Sequence, residues 1–322
     1  MFCTKHYLTL IVLLIICISC SKESKETKLK EPSTIEELGE LLFFDSILSR
    51  DNKISCASCH KPEFAFADNT PFSFGIDSLK GARNTPSAMN QSARNFHFWD
   101  GRSQSLEEQA EGPIENPTEM DVPLSFVVDK LNKHAQYNTF FIKIFGHAAD
   151  KKSVIDAIAS FERTLETNNS AFDCYMNASD TTKFSASAKR GREIFNVKGK
   201  CFDCHFGPDF TNDDFRNIGL FNGKDLNDSG RFKITRDPKD IGRFKVSGLR
   251  NIALTAPYMH NGMFTTLMDV INYYNTPDDF INNSKNRDSL LAKPLSLTEQ
   301  DKKDLVAFLV SLTDDRFLKS KK

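Results

Sequence analysis

The sequence predicts a mainly α-helical chain of two domains with long loops, and three observations carry that expectation. The pattern C-x-x-C-H occurs twice, 145 residues apart in a chain of 322, which leaves a domain's length for each copy. Val154, Ile155, Ile158, Phe161 and Leu165 keep the apolar spacing that lines one face of a helix. Residues 61–95 and 206–258 are rich in Gly, Pro, Asn and Asp without such a period, so they read as long loops.

From the start of the chain, Lys5 and His6 precede an apolar run over residues 7–18, and Ser19 stands before Cys20. A positive start, a short apolar core and a small residue at the cut form an export signal. The run falls short of the roughly 20 apolar residues a spanning helix needs. Ile18-Ser19-Cys20-Ser21 resembles a loose bacterial lipobox, with Cys20 as the lipidated first residue; an uncleaved anchor or an ordinary cut nearby is the alternative. The signal is thus 1–20, and the polar, Lys/Glu-rich 21–33 is a flexible tether. Export places the protein in the periplasm or cell envelope, reaching a membrane only through the lipid anchor. The first domain is 34–175 and the second 176–322. Thr34 caps the first helix, with Glu37 three residues on. Ser296-Leu297-Thr298-Glu299 opens a last helix through Leu312.

Lys plus Arg number 42 against 43 for Asp plus Glu, a net charge of −1 that argues against nucleic acid as a partner. Eight cysteines are too few for a disulfide-dense scaffold of this length. Cys3 and Cys17 leave with the signal. Four of the rest form Cys56-Ala57-Ser58-Cys59-His60 and Cys201-Phe202-Asp203-Cys204-His205. Each reads as a covalent haem c site: two thiols add to the vinyl groups, and the adjacent His becomes the proximal iron ligand. The alternatives are one four-cysteine zinc site or two dithiol redox pairs. An adjacent His in each pair, and export to where haem is attached, favour two haems. Cys174 reads as a buried free thiol without a role.

With these motifs in place, the chain resembles the bacterial dihaem cytochrome c peroxidase and MauG family over almost its whole mature length. The likeness is also carried by Gly81-Ala82-Arg83-Asn84-Thr85-Pro86, Phe98-Trp99-Asp100-Gly101-Arg102, residues 109–120, and Leu249-Arg250-Asn251 running on to Ala256-Pro257-Tyr258-Met259-His260-Asn261-Gly262. The resemblance implies two cytochrome c-like haem domains with the domain interface between the haems, a peroxidatic haem first and an electron-transfer haem second.

Carried over residue by residue, the family's peroxidatic pocket falls on Gln109, Pro113 and Glu119. Glu119 would be the acid–base catalyst, Gln109 would hold water or peroxide, and Pro113 would shape the wall. Many members block the first iron with a His eight residues before the position of Asn84. Here that residue is Ile76, and no His lies in 61–83, so the first haem is expected to be open. His97, the nearest, sits beside Trp99, where an interfacial role is expected. The second iron's distal ligand lies fourteen residues after His260 in the family, which gives Tyr274, as in MauG, where the peroxidases have Met. Tyr273, Met259, Met263 and Met268 are the alternatives. Trp99 would relay electrons between the haems. A calcium ion would take Asn84 and the carbonyls of Thr255 and Pro257.

The resemblance implies a peroxidase that reduces hydrogen peroxide to water, fed through the second haem by a small cytochrome c or cupredoxin. It also admits a homodimer. The alternative is a MauG-like enzyme that uses a high-valent dihaem state to oxidise residues of a partner protein. No Trp lies near the second motif to carry that oxidation to the surface.

Overall fold

The computed structural model describes residues 28–319. The signal, Cys20 and the tether as far as residue 27 lie outside the described residues. From Pro32 onward the chain belongs to one compact unit.

The architecture is mostly helical, as expected. The first half contains α1 (Ile35–Phe44), α2 (Cys56–Cys59), α3 (Leu106–Glu115), α4 (Leu124–Lys133), α5 (Ala135–Phe145) and α6 (Lys151–Arg163). The second contains α7 (Ala171–Met176), α8 (Ala186–Asn196), α9 (Phe232–Thr235), α10 (Leu267–Asn275), α11 (Glu299–Val310) and α12 (Asp315–Lys319). Sheet is confined to β1 (Phe215–Arg216) and β2 (Phe244–Lys245), an antiparallel pair inside the second long loop.

Local chemistry sets the helix ends. The Thr34 side chain accepts the Glu37 N–H, while Glu37 reaches one residue further back than a capping box requires, to the Ser33 N–H at 2.7 Å. Thr298 and Asp301 form a full box at the start of α11. That helix stops at Val310, two residues short of the expected end; Leu312 is fully buried in the turn that follows. Cys174 is half-buried rather than buried.

A pairing of helices repeats in the two halves. In α1, a Cβ on Gly39 would stand 1.9 Å from the Ala157 carbonyl oxygen of α6. In α8, a Cβ on Gly191 would stand 1.9 Å from the Asp304 carbonyl oxygen of α11. Only glycine lets the backbones come so close. Four residues on, Phe43 meets Phe161 and Phe195 meets Phe308, each with ring centroids 5.1 Å apart. Phe66 joins the first cluster and Phe210 the second. These aromatic knots anchor two separate cores. The sequence carries this repeat as Gly39-x-x-x-Phe43 and Gly191-x-x-x-Phe195 ahead of each C-x-x-C-H, a signal the sequence reading did not use.

Candidate active site

Each C-x-x-C-H motif opens onto a cavity, about 370 Å³ for the first and 250 Å³ for the second. Ser55 and Ser58 start α2 with a capping box, so its single turn sets Cys56 and Cys59 on one side and ends at His60. The second motif makes a tighter turn over Cys201–Asp203. His60 Nδ1 lies 2.9 Å from the Phe66 carbonyl, and His205 Nδ1 lies 2.9 Å from the Phe210 carbonyl. A carbonyl only accepts, so Nδ1 carries the proton and Nε2 keeps a free lone pair. Burial holds both imidazoles below the usual range and therefore neutral. None of the four motif cysteines is in a disulfide, so all four sulfurs are available for thioether bonds. Two thiols and an oriented imidazole nitrogen on one cavity wall are the donor set of a covalently attached haem c, and they fit it twice.

Gln109, Pro113 and Glu119 all line the first cavity, with Cys56, Cys59 and His60. α3 supplies the first two. Pro113 stands inside it, where its missing N–H cannot bond the Gln109 carbonyl. Glu119 follows in the turn, its Oε1 accepting a 2.7 Å hydrogen bond from Asn116. Burial pushes the Glu119 carboxyl above its ordinary range, partly offset by Arg102 and the Asn116 amide. Ile76 is buried, and its N–H donates to the Glu119 carbonyl at 2.7 Å. Gly75 permits that approach, since a Cβ there would stand 2.3 Å from the Thr118 oxygen.

Two residues of this cavity escaped the sequence reading or were read differently. His97, expected at the interface, is a buried member of the first cavity's wall, and burial beside Lys245 pulls it down to about 4. Glu162 of α6 also lines it, 6% exposed, with its carboxyl pushed up to about 8 by burial. The available signal was its place four residues after Ile158, inside the apolar stripe of α6.

Tyr274 of α10 lines the second cavity opposite no partner of its own: among the described residues its hydroxyl makes no hydrogen bond. Burial pushes the phenol up. Tyr273, the first alternative, is fully buried and donates to the Ile218 carbonyl at 2.6 Å. Met259 shares the second cavity's wall, whereas Met263 is 37% exposed.

Residues 84–87 and Trp99 border both cavities. The Trp99 indole donates to the Asn84 carbonyl at 2.8 Å. Its ring meets His260 edge-on at 6.4 Å, and His260 stacks on Phe244 at 3.7 Å. Arg83 ties this wall down through Asp100 and Asp228. Thr255 and Pro257 join Asn84 at the second cavity. Among the described residues no helix is long and apolar enough to cross a membrane.

The family model described as di-haem cytochrome c peroxidase matches residues 33–181. A methylamine utilization protein MauG of Methylorubrum extorquens is 36% identical over 281 residues, 85% of this chain and 77% of that protein. A cytochrome c551 peroxidase of Pseudomonas aeruginosa is 38% identical over 243 residues, 73% of this chain and 70% of that protein. Among solved structures, a MauG-like protein associated with microbial copper homeostasis superposes with a TM-score of 0.80 at 30% identity, covering 89% of this chain and 92% of that one. Twin haem-binding cavities and these relatives agree: the chain belongs to the di-haem cytochrome c peroxidase family, an oxidoreductase family of peroxidase type that implies two c-type haems.

Proposed function

We propose that the protein reduces hydrogen peroxide to water with electrons from a small cytochrome c or cupredoxin. The observation that carries this reading is the meeting of Gln109, Pro113 and Glu119 in the cavity that holds His60. When bound, the haem on His60 supplies the iron at which peroxide is cleaved, and the haem on His205 and Tyr274 supplies the entry point for electrons. Gln109 holds peroxide or water, and Pro113 keeps the wall in shape. Glu119, with its affinity for a proton raised by burial, moves that proton from the inner to the outer oxygen of the peroxide. Trp99 relays electrons across the wall that the cavities share. Phe202 within the second motif and Phe206 just after it are exposed, an apolar rim suited to a redox partner.

The same reading includes a calcium ion on Asn84 and the carbonyls of Thr255 and Pro257. The Asn84 amide donates to the Thr70 and Pro71 carbonyls, leaving Oδ1 for a cation. It also includes domains at 34–175 and 176–322, supported by the two cores, and export with a lipid anchor at Cys20. Tyr274, in place of Met, favours a second use of the site: MauG-like oxidation of a partner protein's residues.

The test is an electronic and EPR spectrum of the fully ferric protein, then one equivalent of peroxide, then turnover with a reduced cytochrome c. One high-spin haem beside one low-spin haem, immediate reaction and steady consumption of the donor are expected. A wholly low-spin spectrum, inert until half-reduced, overturns the open first site and points to His97 as a sixth ligand. Prompt reaction with peroxide but no donor turnover shifts the assignment to oxidation of a partner protein.

A further inference from the structure

We propose that Lys245 is the counter-ion of a propionate on the haem in the second cavity, and that it thereby raises that haem's potential. The inference rests on the reading that Cys201, Cys204 and His205 hold this haem. Lys245 ends β2, and its backbone N–H donates to the Trp99 carbonyl at 2.8 Å, which fixes it behind the wall the two cavities share. Lys245 lines the second cavity and also a smaller pocket beside it that Arg94 and Asn90 help to wall.

Three other half-buried cations on the walls of the two cavities are already matched with carboxylates. Arg83 pairs with Asp100 and Asp228, Arg216 with Asp214 and Asp288, and Arg250 with Asp173 and Asp209. Among the described residues the Lys245 ammonium has no ion pair or hydrogen bond. Asp213 attracts it from beyond ion-pair reach and already lies 3.6 Å from Arg94, whose positive charge repels Lys245. His97, its other titratable neighbour, is held neutral.

Burial pulls the ammonium down to about 8, so the cavity by itself disfavours this charge. A desolvated cation is stable only beside an anion. The anionic groups of a haem c are its two propionates, which need a cation just as much inside this largely apolar pocket. An ammonium held near the ring favours the reduced, less positive iron, so its loss lowers the potential.

The experiment is potentiometry of the dihaem protein, following each haem's spectrum separately, in the wild type, Lys245→Met and Lys245→Arg. Expected are a lower potential for the second haem in Lys245→Met, little change in Lys245→Arg, and an unmoved first haem. No shift, or a shift confined to the first haem, overturns the proposal. Where Lys245→Met does not take up both haems, resonance Raman spectra of the wild type and Lys245→Arg decide. The second haem's propionate bending band moves if the side chain touches it, and an unmoved band overturns the assignment. Wild-type protein carrying fewer than two haems would instead overturn the reading beneath it.

Discussion

In the first half, α1 meets α6 at Gly39, Phe43 packs on Phe161, and the Phe66 carbonyl turns His60 toward its cavity. In the second half, α8 meets α11 at Gly191, Phe195 packs on Phe308, and the Phe210 carbonyl turns His205. Below the cavities the two halves are copies of one device. Above them they part. The first cavity receives Gln109 and Glu119, a polar side chain and a carboxyl whose affinity for a proton is raised by burial. The second receives Tyr274 among apolar residues such as Leu267, Ile271 and Leu305. One scaffold presents an oriented imidazole twice, and the opposite walls are what differ.

The contrast breaks most sharply at Glu119. Glu119→Gln should lower peroxide turnover by about 10²–10⁴-fold, the usual worth of a positioned acid–base group, with haem content unchanged. Stopped-flow peroxide reduction beside a haem assay checks it; retained turnover would make the first cavity's polarity incidental.

The shared device can be broken in either half. Gly39→Ala and Gly191→Ala each force a Cβ against a backbone oxygen, and overpacking of this kind costs about 1–3 kcal/mol. The two losses should match, because the two contacts do. Chemical denaturation of both variants measures this, and a clearly unequal pair would show that the halves are not packed alike.

A smaller effect separates the cavities by pH. The Glu162 carboxyl is pushed from 4.5 up to about 8, so between those values the folded state keeps a proton that the unfolded state releases. Its contribution to stability is full below about pH 4.5 and falls as pH rises towards 8, by at most about 1.4 kcal/mol per unit. Melting profiles from pH 5 to 9 should fall less in Glu162→Gln than in the wild type; parallel profiles would show that Glu162 does not titrate in this way.

The mildest expected effect on turnover sharpens the comparison from the other side. Tyr274→Met should raise the second haem's potential, since thioether ligation favours ferrous iron, and leave the first haem's spectrum alone. Spectroelectrochemistry reads both. An unchanged second haem would pass the ligand role to Met259, which shares that wall.

Much of this was legible in the residues. Both haem motifs are contiguous pentapeptides whose chemistry depends on spacing alone, and Thr34 and Thr298 cap helices by local hydrogen bonding. Pro113 and Gln109 lie one helical turn apart, so one helix aims both. Less visible were Glu162, His97 and Lys245. Each is an ordinary polar residue in its own segment, and each matters only because elements far apart in sequence bury it beside a cavity.

By itself the sequence pointed to the class of the molecule: two motifs of the kind that attach haem c, the helical segments and the loops between them. These follow from short-range covalent and hydrogen-bond chemistry. Tertiary structure alone decided that Glu119 joins His60 across one cavity, that Tyr274 rather than Tyr273 is left with a free hydroxyl, and that residues 84–87 with Trp99 wall both cavities. It also decided which charges stay unmatched. Desolvation and pairing depend on what packs against a group from across the chain, and no local pattern of residues records that.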